Sequence, residues 1–463
     1  MLTTPWSCRT LDPPPARPRS PTQTEKEIAH NHKEQKELKE KRKEEKNPNY
    51  ELMKGVKVMW EKLRNTATTE KKEQKELVAT ILGQIEGKVK DVIFQHDSVR
   101  VVQSCLKHGT LEHRTKIFDE LAGDVLALAK SKYGKFLIPK MLMYGTKKQR
   151  AKIIEGFYGH VRTLIKHKLA NPVVALAYID FATSEQRANL LQEFYGPQFA
   201  VFKLAGSLKT LDAVFEKHPE KKEYILRHLK ETLTPLLEKG ICAHHIVHRA
   251  LHDLVSHIPT DGDEFCDVLD TVKEILVEML HTKDGAMVTA RCLWGSDAKT
   301  RKLIVRSMKP YVQKICDEEF GHFALLALFD TVDDTVLVGK QILSQITADL
   351  DTLVGSPYGI KVLQYLLAPR STKYNMPDVI KRLQLGDGNK FTKKDVEQRR
   401  AELRKAVLPA LVKVTNGVSA PPRCSCGGLL VGRVPSISLS LSLSLVGDAR
   451  AHGVPCGVFL PPV

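Results

Sequence analysis

Between about Tyr50 and Val414 apolar positions fall at helical spacing, and the arrangement returns roughly every 36 residues. One pivot residue marks each return: Gln103, Pro139, Ala175, Asp212, His248, Ala290, Leu326 and Gln364, separated by 36, 36, 37, 36, 42, 36 and 38 residues. Apolar or small residues stand two and one before each pivot and again two and three after it. Val101, Val102, Cys105 and Leu106 are one such set; Val362, Leu363, Leu366 and Leu367 are another. These offsets share one stripe of an α-helix, whereas the pivot and the residues three and four before it lie on a different face. Turns marked by Gly134, Gly285, Gly321 and Gly359 precede the pivot helices. Second amphipathic segments such as Arg150–Gly156, Gln186–Phe194 and Thr300–Val312 lie between them. A helix pair of this size cannot bury its own stripe, so neighbours must stack. The pattern predicts an all-α fold, a right-handed α-solenoid of ~36-residue repeats whose pivot helices line one surface. Helices over about Leu52–Leu63 and Glu70–Glu86 are expected to cap its N-terminal end. Pro259-Thr260-Asp261-Gly262 marks a loop insertion in the 42-residue step.

The two ends have another character. Residues 1–49 begin Pro-rich (Pro13 to Pro15, Pro18, Pro21) and continue as interleaved Lys and Glu from Glu25 to Lys46, with no face to bury. They are expected to be a disordered, mixed-charge spacer, and Lys39–Lys46 has a second reading as a nuclear-import signal. Residues 415–463 include the alternating Ser436 to Leu445 stretch and read as a low-complexity disordered tail. The repeat domain is therefore 50–414, an N-terminal cap plus about eight repeats.

Charge narrows the function. The 463 residues carry a net +17. Residues 1–50 hold 11 Lys+Arg against 8 Asp+Glu, and residues 411–463 hold 4 against 1. Each end is thus +3, which leaves +11 on the repeats. A positive body points to a polyanion, of which nucleic acid is the commonest. The nine cysteines are scattered without a CxxC pair or zinc spacing, so a disulfide scaffold is excluded and a reducing compartment expected. No apolar run is long enough for a membrane span, and the N-terminus has no signal-peptide core. No GxSxG, P-loop or GxGxxG motif follows a strand pattern, and Gly386-Asp387-Gly388-Asn389 lacks EF-hand spacing. Catalysis, a cofactor, a bound metal and a small-molecule substrate are not expected.

Several segments together resemble a known family. They include Lys132-Tyr133-Gly134-Lys135-Phe136-Leu137-Ile138, Pro357-Tyr358-Gly359-Ile360-Lys361-Val362-Leu363-Gln364, Met59-Trp60-Glu61-Lys62-Leu63-Arg64, His96-Asp97-Ser98, His281-Thr282-Lys283-Asp284-Gly285-Ala286, Arg291-Cys292-Leu293-Trp294 and the Gly386–Asn389 run. Over residues 50–410 or so the chain is similar to the Pumilio-homology (Puf) repeat family and, within it, the nucleolar Puf-A-like branch. The resemblance implies an array of Puf repeats that binds RNA and DNA, single- or double-stranded, with little sequence preference. It also implies a place in large-subunit ribosomal RNA maturation, nucleolar or nuclear residence, and contact with pre-ribosomal assembly proteins. The short Pro-rich start and the unrelated tail after Val414 depart from that branch and suggest a truncated C-terminal edge.

Sequence-reading Puf repeats recognise a base edge through two polar side chains four apart, with a flat side chain between them for stacking. The corresponding pairs here are Val99/Gln103, Lys135/Pro139, Asn171/Ala175, Leu208/Asp212, His244/His248, Ala286/Ala290, His322/Leu326 and Ile360/Gln364. Only His244/His248 has two polar members, and aliphatic side chains neither donate nor accept. Stacking or cationic candidates survive at Arg100, Phe136, Lys209, His245, Phe323 and Lys361, with Arg249 and Arg291 placed for phosphates. Phe136 and Phe323 have a second reading, packing against the next repeat. The expected interface is Arg100, Gln103, Lys135, Phe136, Asn171, Lys209, His244, His245, His248, Arg249, Arg291, His322, Phe323, Lys361 and Gln364, binding by charge and shape. Two other functions share the pattern: a helical-repeat protein scaffold, and a sequence-specific mRNA-binding translational regulator.

Overall fold

The computed structural model describes residues 34–38, 49–65, 70–201 and 210–417. It forms two compact units that meet in sequence at Leu121/Ala122. Among the described residues there is no strand, and the architecture is an all-α solenoid of stacked helical repeats.

In the first unit Tyr50–Arg64 and Lys71–Ile85 form the expected cap. They pack on the first pivot helix, His96–His108, with Leu111–Leu121 completing the unit. Val56, Leu63, Val78, Ile81, Val101, Val102, Cys105 and Leu106 fill its core. The Trp60 Nε1 donates to Ser104 Oγ at 2.9 Å, tying cap to pivot helix.

In the second unit the pivot helices are Leu137–Tyr144, Asn171–Leu176, Leu211–Lys217, His245–His257, Lys283–Trp294, Gly321–Thr331 and Gly359–Leu367. The last four pack side by side in chain order. Each buries the predicted stripe; Ile246, Val247, Ala250 and Leu251 are all within the core. Second helices alternate with them: Lys147–Glu155, Ser184–Leu191, Lys222–Glu238, Asp263–Val272 and Ala298–Met308. After the eighth pivot the chain adds Pro377–Gln384 and the long Val396–Gly417, which packs on the Gly321–Thr331 and Gly359–Leu367 helices. The fourth repeat is irregular. The His245–His257 helix touches the π-turn Ala177–Phe181 and the Ser184–Leu191 helix directly, while its C-terminal His257 reaches Asp212 at 2.9 Å.

The glycines that mark the turns are required by a recurring close approach. A Cβ on Gly285 would meet the Met279 carbonyl, and one on Gly359 would stand 2.7 Å from the Leu353 carbonyl. Gly321 and Gly134 stand in the same relation to Ile315 and Leu128. In each case the partner lies six residues back, where the preceding short helix ends against the start of the pivot helix. A hydroxyl three residues before the glycine accepts its N–H: Ser131 at 3.1 Å, Thr282 at 2.9 Å, Ser356 at 3.1 Å. These bonds satisfy donors that a helix start leaves unpaired.

The expected disordered ends, the Lys39–Lys46 signal and the Ser436 to Leu445 stretch lie outside the described residues, apart from a helical turn at 34–38 and the helix that runs to Gly417.

Candidate nucleic-acid interface

The pivot faces divide into an accessible set and an interior set. In the first unit Arg100 is exposed and Gln103 half-buried on the His96–His108 helix. In the second unit Phe136 is 55% exposed with the Lys135 ammonium 5.0 Å from its ring centroid. Lys132 stands over Tyr133 at 5.4 Å and Lys361 over Tyr358 at 5.0 Å. A cation held on an aromatic face presents charge and a stacking plane together, which any nucleotide satisfies. Asn171, His244, His245 and Gln364 are half-buried, and the Asn171 Oδ1 is enclosed without a hydrogen-bond partner. Lys209 lies outside the described residues.

Five expected contact residues are structural instead. His248 is fully buried: its Nδ1 meets the Thr282 hydroxyl at 2.7 Å and its Nε2 the Cys242 carbonyl. Burial pushes its imidazole down to about 3, so it carries no charge at neutral pH. Arg249 pairs with Asp253 at 3.0 Å and Asp284 at 3.5 Å, which cancels its charge locally. Arg291 donates to the Val255, Ser256 and Ile258 carbonyls, closing the end of the previous pivot helix. His322 is buried, donating its Nδ1–H to the Glu318 carbonyl (3.2 Å) and stacking on Tyr358 with centroids 5.4 Å apart. Phe323, 6% exposed, is a core residue, so its packing reading holds. The physical reason is common to all five. Side-by-side packing of the last four pivot helices covers the face that an isolated helix would offer to solvent. Burial also holds His244, His245 and His322 below the ordinary imidazole range, which favours their neutral form.

One role was missed in the sequence. Arg114, Arg150, Arg187 and Arg301 lie 11 or 12 residues after their pivots and donate to carbonyls at the end of the pivot helix. Arg114 reaches Leu106 (2.8 Å), Arg150 Met143 (3.1 Å), Arg187 Tyr178 and Ile179 (2.8 and 2.6 Å), and Arg301 Leu293 (2.9 Å). Cations at helix C-termini satisfy orphan acceptors and the negative dipole end. The signal was a fixed offset in the period, visible only once the offset has a partner. Part of the +11 on the repeats is thus spent inside the fold.

The Gly386–Asn389 run is also structural. Gly386 sits so close to the Trp294 indole that no Cβ fits. Asp387 makes a two-toothed pair with Arg370 at 2.7 and 2.6 Å, and Asn389 Oδ1 accepts from Arg301 at 2.9 Å. Among the described residues no group of three or more His, Cys, Asp or Glu side chains could hold a metal, and no helix is long and apolar enough to cross a membrane.

Residues 100–122 and 124–156 match the Pumilio-family RNA binding repeat, and residues 355–419 match the CPL (NUC119) domain. A crystal structure of human Puf-A in complex with DNA is 40% identical, with a TM-score of 0.75 over 79% of this chain and 72% of that one. The chain belongs to the Pumilio-repeat family, in its Puf-A branch. Human Pumilio homolog 3 is 41% identical over 381 residues, 82% of this chain and 58% of that protein. Pumilio homology domain family member 6 of Schizosaccharomyces pombe is 34% identical over 386 residues, 83% and 60% respectively. The chain thus spans about three fifths of the length of these curated relatives. The CPL match covers the eighth pivot helix and the two helices beyond it.

Proposed function

We propose that this chain binds RNA and DNA along its pivot faces with little preference for sequence, and that it serves large-subunit ribosomal RNA maturation in the nucleolus. The carrying observation is the state of the edge-reading positions. Val99, Ala286, Ala290 and Leu326 are apolar and buried, and His248 and His322 are buried with their own partners. Among the described residues no edge-reading pair has two accessible polar members, so base edges go unread. What remains accessible is Arg100, Lys135 with Phe136, and Lys361 with Tyr358. The DNA-bound human Puf-A structure and the RNA binding repeat match support a nucleic-acid partner.

Filter binding to unrelated single-stranded RNA and DNA oligonucleotides across salt tests this reading. Contacts to ~6 phosphates give a log–log salt slope near −4, at about −0.7 per phosphate. Charge reversal at Arg100, Lys135, Lys209 and Lys361 together lowers affinity by at least ~tenfold. A flat salt response, or a strong preference for one short sequence, would overturn it. The ribosomal part is tested by depletion: accumulation of unprocessed large-subunit precursor RNA supports it, and normal processing rejects it.

A further inference from the structure

The second helix of the sixth repeat carries a charge pattern that the pivot-face reading does not use. Across residues 298–314 there are six Lys+Arg and no Asp or Glu. Arg301 is buried, but Lys299, Lys302, Arg306, Lys309 and Lys314 are exposed, and none forms an ion pair among the described residues. Lys299, Lys302, Arg306 and Lys309 are spaced by three, four and three, which aligns them on one face over ~15 Å. Leu303 and Tyr311 lie within the same stretch and are 42% and 51% exposed. Val336, on the helix Thr335–Val338 that packs against this one, is 65% exposed.

The neighbouring outer segments have the opposite sign. Residues 263–274 hold five acids and one lysine, a net −4, and residues 333–351 hold four acids and one lysine, a net −3. The basic stripe therefore follows one helix and is dotted with apolar side chains, between sequence segments of net negative charge whose Asp267 and Asp333 are themselves paired with Lys230 and Arg399. Leu303 and Val336 offer a nucleic acid neither charge nor a stacking plane. An acidic helix or strand of a protein fits the width, the charge and the apolar spots together. We propose that the outer helix Ala298–Met308, with its continuation to Lys314, is a docking site for an acidic amphipathic segment of a partner protein, separate from the pivot faces.

The full chain is titrated by fluorescence anisotropy into three labelled probes. These are a helical peptide of ~18 residues with Glu along one side and Leu along the other, a polyglutamate peptide of the same length, and an RNA duplex. The variants are Lys299→Glu/Lys302→Glu/Arg306→Glu/Lys309→Glu, the same four positions to Gln, and Leu303→Ser/Tyr311→Ser, with thermal melts confirming the fold. The Glu variant should bind the amphipathic peptide at least ~tenfold more weakly, and the Leu/Tyr variant at least ~threefold more weakly. RNA affinity should stay within ~twofold for both. If the Glu variant fails to fold, the Gln set gives the same reading with a smaller loss. Peptide binding unchanged by these variants, polyglutamate bound as tightly as the amphipathic peptide, or selective loss of RNA binding would each overturn the proposal.

Discussion

Arg301 offers the sharpest separation between charge that holds the fold and charge that faces a partner. Its guanidinium is buried and donates to the Leu293 carbonyl at 2.9 Å, the Thr331 carbonyl at 3.0 Å, the Phe391 carbonyl at 3.2 Å, the Trp294 carbonyl at 3.4 Å and Asn389 Oδ1 at 2.9 Å. It thereby closes two pivot helices and pins the 386–392 loop to them. Burial pushes this guanidinium down to about 10, still charged at neutral pH. Arg301→Met keeps the aliphatic stem but strands several acceptors, at a cost of ~3–5 kcal/mol. Arg301→Lys retains the charge with at most three donors where Arg has five, so about half that loss is expected. In a unit this large, ~4 kcal/mol lowers Tm by roughly 6–12 °C. Thermal melting followed by circular dichroism gives the total. Hydrogen exchange should localise the loss to the ends of Lys283–Trp294 and Gly321–Thr331 and to residues 386–392. Nucleic-acid affinity of the folded variants should match the parent. A melt within ~1 °C of the parent, or weakened nucleic-acid binding with no change in melting, would refute the assignment of Arg301 to the interior.

Two further outcomes follow from the buried groups. His248 titrates at about 3 in the fold against ~6.5 unfolded, so the unfolded chain binds the extra proton. Its contribution is intact above pH ~6.5 and is lost as pH falls toward 3, up to about 5 kcal/mol; Tm-versus-pH curves should be flatter over that window for His248→Gln, and identical slopes would contradict the burial. Cys105, Cys242, Cys292 and Cys316 are buried with thiols pushed up to about 12, while Cys266 is exposed. Brief alkylation of the native chain followed by peptide mass mapping should therefore label Cys266 and spare the other four; equal labelling would show that the repeats open readily.

The period was enough to place the pivot helices, the buried stripes outside the irregular fourth repeat and the glycine turns, because each depends on contacts within one repeat or between adjacent copies of the same pattern. The apolar character of Val99, Ala286, Ala290 and Leu326 was equally legible, since these side chains have no donor or acceptor wherever they point. Accessibility was not. Arg100 and Arg291 are the same residue type in equivalent helices, yet one faces solvent and the other finds three carbonyls about 35 residues away. His248 and Phe323 occupy positions that a lone helix would expose, and only neighbouring repeats bury them. Composition counts charges; the packing of one repeat on the next decides which of them are satisfied by backbone and which are left for another molecule.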